Sequence, residues 1–337
     1  MHCGRLARLK KLRYLIGAIV GLALLAWVLR GFDWGEMGQA VRSADYVWLL
    51  PAGAAMLGMF ALRALRWRIL LRSLGNIEFS DLWSGVLIGY FGNFALTANA
   101  GELIRAFVLG RRTGFSKSAI LASIVVEKTL DIIVLLLFLL VLSIALPLPP
   151  WVELMILLAG LMFVAACLVL FFLSRWETQT AAWISGLVGR VSASLAARVK
   201  RFMHAFVTGL RGQGRAVIGA IALTGLVWPC LAISFFFIGR SLGLSVAAQA
   251  YLLLVALITL GAIIPTLPGQ VGTTEFLIVG GLAVFAVGKE PALTFAILLR
   301  LVRLLPLGLG YTSLLRAGLK LSDVGAIQRK SLAQEQV

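Results

Sequence analysis

Histidine and cysteine are scarce in this 337-residue chain: the only histidines are His2 and His204, and the only cysteines are Cys3, Cys167 and Cys230. They lie far apart, so no group has metal-ligand spacing, no Ser/His or Cys/His pair can be proposed, and no disulfide framework is implied. We therefore expect no metal and inert thiols. Acidic residues are also few, with 14 Asp and Glu against 31 Lys and Arg and a net charge of +17. No P-loop and no dinucleotide fingerprint occurs, which removes nucleotide-driven chemistry by those routes. We expect no cofactor and no enzymatic activity of the common kinds.

Hydrophobic residues are what the chain has in excess. They make up 61% of it, charged residues only 13%, and the mean hydropathy is +0.99. Soluble domains carry roughly 25% charged residues, so the composition is that of a polytopic, all-α membrane protein. The positive excess does not point to nucleic acid, because no soluble basic domain exists to carry it. Lys and Arg instead cluster between apolar runs, as cytoplasmic loops do under the positive-inside rule.

Taken in order, Arg5, Arg8, Lys10, Lys11 and Arg13 place the N-terminus in the cytoplasm. The apolar run Tyr14 to Leu29 lacks a small-x-small cleavage site and reads as a retained first span. A second span, Tyr46 to Leu62, returns to the cytoplasm at Arg63, Arg66, Arg68 and Arg72. Ser118 to Leu146 and Trp151 to Leu173 read as the next two full spans, Ala216 to Ile238 as the fifth and Pro291 to Leu315 as the last. The basic segment 175–215 has apolar residues at helical spacing; it is either an amphipathic helix on anionic lipid or a solvated connector. The tail, 322–337, reads as disordered and cytoplasmic. We expect one integral membrane domain over 1–321, with halves at about 46–146 and 216–316, in the cell (inner) membrane. Composition leaves the oligomeric state open.

Two stretches between these spans are too short to cross and are broken in the middle. Leu82 to Ala100 leads into Thr97 to Glu102, TANAGE, and then into a short leg ending at Arg111, Arg112 and Lys117. Ala250 to Ile264 leads into Pro265 to Glu275, PTLPGQVGTTE, and then into Phe276 to Val287. In hydrocarbon a broken backbone is tolerated only where protein buries it or a wet cavity hydrates it. Paired broken helices in corresponding halves point to a transporter's binding site. The predicted architecture is about six full transmembrane helices plus two re-entrant broken-helix hairpins, one opening from each side, as an inverted repeat.

The spans that follow the breaks carry charge. Glu127, Lys128 and Asp131 lie in one, Arg300 and Arg303 in the other. At 1.5 Å per residue the four outer members sit about 12–18 Å inside a core about 30 Å thick. Spacing of i, i+4 and i, i+3 gives each group a common face. Five such charges left unpaired cost roughly 12–18 kcal/mol on the lenient insertion scale, so we expect the carboxylates to face the arginines across the midplane. The charges either form a functional site or only tie two helices together. Pro306, three residues past Arg303, predicts a kink beside them. Glu102 and Glu275 close the breaks as ordinary helix caps or as part of a headgroup site, where free N–H groups near Gly101 and Gly272 hold a phosphate. Gly85, Gly89 and Gly92 read as helix-packing positions.

Several of these motifs, in this order, resemble a known family. The pattern N-x5-N-x-G-E-x2-R (Asn93, Asn99, Gly101, Glu102, Arg105) is followed by E-K-x2-D (Glu127, Lys128, Asp131). Then come P-x2-P-G-x2-G-x2-E (Pro265, Pro268, Gly269, Gly272, Glu275) and a late arginine. Together they resemble the lysylphosphatidylglycerol synthase transmembrane region, the flippase-like integral membrane family. The first break lacks the proline the family often has there, and Gln270 stands where a further glycine is common. The resemblance implies a translocator of lipids with an anionic or modified headgroup, its site formed by the two re-entrant elements. No aminoacyl-transfer domain follows the last span, so synthesis of an aminoacyl lipid by this chain is not expected. Two other readings stay open: an intramembrane enzyme with Glu127 and Asp131 as acid and base, and a non-catalytic partner of a separate lipid-modifying enzyme.

Overall fold

A computed structural model of the chain describes residues 17, 19–30, 33–95, 100–158, 160, 161, 164, 214–262 and 268–319. The N-terminal basic cluster, nearly all of the 175–215 connector, the 322–337 tail, Asn99 and Pro265 lie outside them. Helix predominates among the described residues, and none of them is in a strand. In chain order the helices are α1 (Ile19–Leu29), α2 (Trp34–Ser43), α3 (Leu49–Leu71), α4 (Phe79–Ala95), α5 (Ala100–Thr113) and α6 (Lys117–Ala145). They continue with α7 (150–158), α8 (Gly214–Ser241), α9 (Ala248–Gly261), α10 (Thr273–Ala283) and α11 (Lys289–Arg316).

Three helices, Tyr46–Leu71, Ile218–Ser241 and Lys289–Arg316, are long and apolar enough to cross a membrane. At 29 residues α6 is longer than any of them and carries Glu127, Lys128 and Asp131 inside it. Such lengths follow from long runs of Leu, Ile, Val and Ala free of helix-breaking pairs. Pro229 in α8 and Pro306 in α11 lie inside their helices without ending them.

One boundary differs from the sequence reading in a way that matters. The second span was expected to end at Leu62, with Arg63 and Arg66 in cytoplasmic water. Instead α3 runs to Leu71 and Arg66 is fully buried. The helix continues because Ala64, Trp67, Leu70 and Leu71 keep supplying an apolar face after the arginines, and all four are buried. Arg105, the arginine of the N-x5-N-x-G-E-x2-R pattern, is buried on α5.

Helices α3 and α8 pack side by side and are stitched by side chains that reach across to backbone. Ser234 Oγ donates to the Ala52 carbonyl at 2.7 Å and Cys230 Sγ to that of Ala55 at 3.3 Å. The Asp45 amide, just ahead of α3, donates to the Ser241 carbonyl at the end of α8 at 2.8 Å.

The two broken elements form as pairs of short helices. Helices α4 and α5 have 17 and 14 residues, about 25 and 21 Å, and α9 and α10 have 14 and 11, about 21 and 17 Å. All fall short of the roughly 30 Å core. Glycine brings the first pair into backbone contact: a Cβ on Gly92 would meet Gly101 Cα at 2.8 Å. In the second, a Cβ on Gly281 would meet the Leu254 side chain at 2.7 Å. Helix α11 closes on α4 by the same device, since a Cβ on Gly310 would lie 2.5 Å from the Leu87 carbonyl oxygen and 2.9 Å from Phe91 Cβ.

Gly310→Ala should therefore destabilise the fold by about 1–3 kcal/mol through overpacking against the α4 backbone. Gly308→Ala, where a Cβ meets nothing within 4 Å, should be neutral or slightly stabilising. Thermal unfolding of the two variants in detergent measures the difference; equal midpoints would contradict the close α4–α11 approach.

Candidate functional site

The buried charges assemble around Arg66. Its Nη1 donates to Asp131 Oδ1 at 2.5 Å and to Thr224 Oγ1 at 2.9 Å, and its Nη2 lies 2.8 Å from Glu127 Oε1. Three long helices, α3, α6 and α8, are thereby joined at one guanidinium. Arg63, one turn earlier on α3, approaches Asp131 at 3.5 Å and stacks over Trp228 of α8.

The other carboxylate oxygen of Glu127 is held from the broken element. Arg105 of α5 donates to Glu127 Oε2 at 2.7 Å, its guanidinium lies 3.5 Å over the Trp67 ring, and Gly85 and Gly89 of α4 leave room for its stem. Glu102, one turn before Arg105, contacts Lys128 Nζ at 2.8 Å and accepts from Asn93 Nδ2 at 3.2 Å. Lys128 is half-exposed, at 45%, whereas Glu127 beside it is 1% exposed. The E-K pair thus divides its roles: Glu127 faces the protein and Lys128 its edge.

The second break is built around Glu275. Its Oε1 accepts from Arg300 Nε at 2.7 Å and its Oε2 from the Gly272 amide at 2.7 Å. Arg300 also donates through Nη1 to the Gly269 carbonyl at 3.2 Å. Gly269 and Gly272 have φ of 71° and 86°, the left-handed region glycine adopts without strain. Pro268 opens the short 3-10 turn Pro268–Gln270.

Several expectations change. Glu127 and Asp131 do not face Arg300 and Arg303; they pair with Arg66, Arg63 and Arg105, and Arg300 pairs with Glu275. Nearer cations on α3 and α5 satisfy the carboxylates first. The N–H groups expected to hold a phosphate are also taken, since Gly101 N donates to Asn93 Oδ1 at 2.9 Å and Gly272 N to Glu275. Arg303 contacts no carboxylate among the described residues.

Sequence reasoning missed Arg66, Arg63, Trp67 and Thr224. One signal was available: Arg66 stands amid apolar residues, with Ala64, Leu65, Trp67, Ile69, Leu70 and Leu71 around it.

Arg66→Gln would strand two buried carboxylates, and the loss of stability should be about 3–5 kcal/mol. Adding Asp131→Asn should recover part of it. A double-mutant cycle by thermal unfolding should return a coupling of at least about 1 kcal/mol; additivity would mean that the two groups do not share one buried pair.

The sequence profile described as the lysylphosphatidylglycerol synthase TM region matches residues 14–310, a stretch that contains all of these groups. A UPF0104 membrane protein of Methanothermobacter thermautotrophicus is 27% identical over 283 residues, 77% of this chain and 82% of that protein. One from Pyrococcus horikoshii is 23% identical over 311 residues, 86% and 90% of the two chains. The glycosyltransferase AglD of Haloferax volcanii is 26% identical over 125 residues, which are 37% of this chain and 20% of that protein. With a match running over most of its length, this chain belongs to the lysylphosphatidylglycerol synthase transmembrane-region family.

Proposed function

We propose that the chain moves a phospholipid or lipid-linked headgroup between the leaflets of the cell membrane. The observation that carries this reading is that each broken element leans a charged residue onto the long helix that follows it. In both cases a glutamate is the third residue of the helix after the break and meets a cation on the next long helix: Glu102 meets Lys128 at 2.8 Å, and Glu275 meets Arg300 at 2.7 Å. The first half adds a second pair of the reverse sense, in which a cation on the broken element, Arg105, meets a carboxylate on α6, Glu127.

Such equivalence supports a single domain of two inverted halves, with about six full spans and two re-entrant hairpins. Charged groups stranded in hydrocarbon at equivalent places are expensive to keep, and a path for a polar headgroup gives them a use. Gln270 and Thr274 flank Glu275, and Asn93 and Lys128 flank Glu102, so each break presents exchangeable polar contacts. An amine on the headgroup would compete with Lys128 for Glu102; a phosphate would compete with Glu275 for Arg300.

The partial likeness to a glycosyltransferase favours one alternative, a membrane module that serves a separate lipid-modifying enzyme. Neutralising Glu275 discriminates the two. Reconstituted in vesicles with fluorescent headgroup-labelled lipids, the native chain should accelerate leaflet exchange several-fold. Glu275→Gln should abolish that gain while its unfolding midpoint stays within a few degrees of native. Absence of acceleration with every anionic, zwitterionic and prenyl-phosphate lipid tried would overturn the translocator reading.

A further inference from the structure

The interior charge does not balance. Among the described residues at the two breaks and the Arg66 cluster, six cations, Arg63, Arg66, Arg105, Lys128, Arg300 and Arg303, stand against four carboxylates, Glu102, Glu127, Asp131 and Glu275. Each carboxylate has a close cation of its own: Arg66 for Asp131, Arg105 for Glu127, Lys128 for Glu102 and Arg300 for Glu275. Arg63 and Arg303 are left over, the first only 3.5 Å from a carboxylate already bound at 2.5 Å and the second touching none among the described residues.

These two leftovers converge on one place. Arg300 donates to the carbonyl of Gly269, which packs so closely on Phe94 of α4 that a Cβ there would meet the ring at 3.1 Å; Phe94 is one turn from Tyr90, and Arg303 is one turn from Arg300. The packing agrees: Tyr90 stacks edge-on against Phe60, one helical turn from Arg63, with ring centroids 4.8 Å apart. On the other side α11 is drawn onto α4 through Gly310 against Leu87 and Phe91, and Phe91 contacts Tyr311 at 5.5 Å. Helices α3, α4 and α11 therefore meet around Tyr90.

The hydrogen-bonding groups beside Arg63 point the same way. Among the described residues Arg63 Nε and the Nε1 of Trp228, the ring over which Arg63 stacks, are buried without a hydrogen-bond partner. Both are donors. What this region lacks is an acceptor with negative charge, and unmatched buried cations of this kind are costly until one arrives.

We propose that Arg63, Arg303, Arg300 and Tyr90 form a site for a phosphate group carrying two negative charges, a phosphomonoester or diphosphate, rather than for a phosphodiester or zwitterion. A phosphomonoester carries about −1.5 to −2 at neutral pH, which matches the excess of two. A phosphodiester, with one charge, leaves half of the excess unmet. Arginine suits the task because its planar fork binds phosphate oxygens in pairs. The proposal rests on the translocation reading only for the source of the phosphate, a lipid headgroup rather than the free ion.

The test is binding to the full-length chain in nanodiscs of a zwitterionic lipid, titrated with phosphatidic acid, with phosphatidylglycerol and with inorganic phosphate, and followed by tryptophan fluorescence. Phosphatidic acid should bind at least tenfold tighter than phosphatidylglycerol, and inorganic phosphate should compete with it weakly. Arg303→Gln and Arg63→Gln should each reduce affinity for phosphatidic acid about tenfold and erase the preference. Because a variant can simply misfold, unfolding midpoints without added anionic lipid provide a second readout. Arg303→Gln should match or exceed the native midpoint, since it removes an unmatched charge, whereas Arg66→Gln should lower it. Equal affinity for the two lipids, tighter binding of inorganic phosphate than of phosphatidic acid, or a preference untouched by Arg303→Gln would overturn the site. The preference is scored independently of leaflet exchange, so loss of either result identifies which reading has failed.

Discussion

A charge that leaves water for the interior of this protein has to find its opposite within a few ångströms, and the arrangement of helices follows from that demand. Arg66 is the clearest case. Its guanidinium, fully buried, answers two carboxylates on α6 and a hydroxyl on α8, so three long helices are positioned by one side chain. An apolar core between the same helices would hold them together at many registers. A bidentate ion pair accepts few, and this is how a costly group can specify geometry rather than add stability.

Around that fixed centre each broken element offers a glutamate to a cation on the long helix after it, Glu102 to Lys128 and Glu275 to Arg300, and the first adds Arg105 against Glu127. Both are short helix pairs in which glycine allows close contact, and in both a glutamate stands one turn after the break.

Much of this was legible in the sequence. Composition gives a helical membrane protein, and the helix ends fall within a few residues of the expected ones for α6, α8 and α11, because long apolar runs flanked by charge leave little choice. Both breaks were visible as Gly, Pro and polar residues inside hydrophobic legs. The partners of the buried charges were not. Arg63 and Arg66 sit beside Arg68 and Arg72, and a cluster of four arginines reads as a loop; only the three-dimensional pairing with Glu127 and Asp131 makes burial of two of them affordable. Likewise Gly101 and Gly272 look like open anion sites until Asn93 and Glu275 are seen to occupy their amides. Proximity between elements more than 20 residues apart leaves no periodic trace.

The glycine contact between α4 and α5 has a mechanical consequence. Where two backbones already touch, as at Gly92 and Gly101, the helices have no side-chain cushion through which to slide or scissor against one another. The hairpin behaves as a wedge of fixed angle. Any displacement of one of these helices against α6 therefore carries the other with it, and it works against the buried Arg105–Glu127 ion pair.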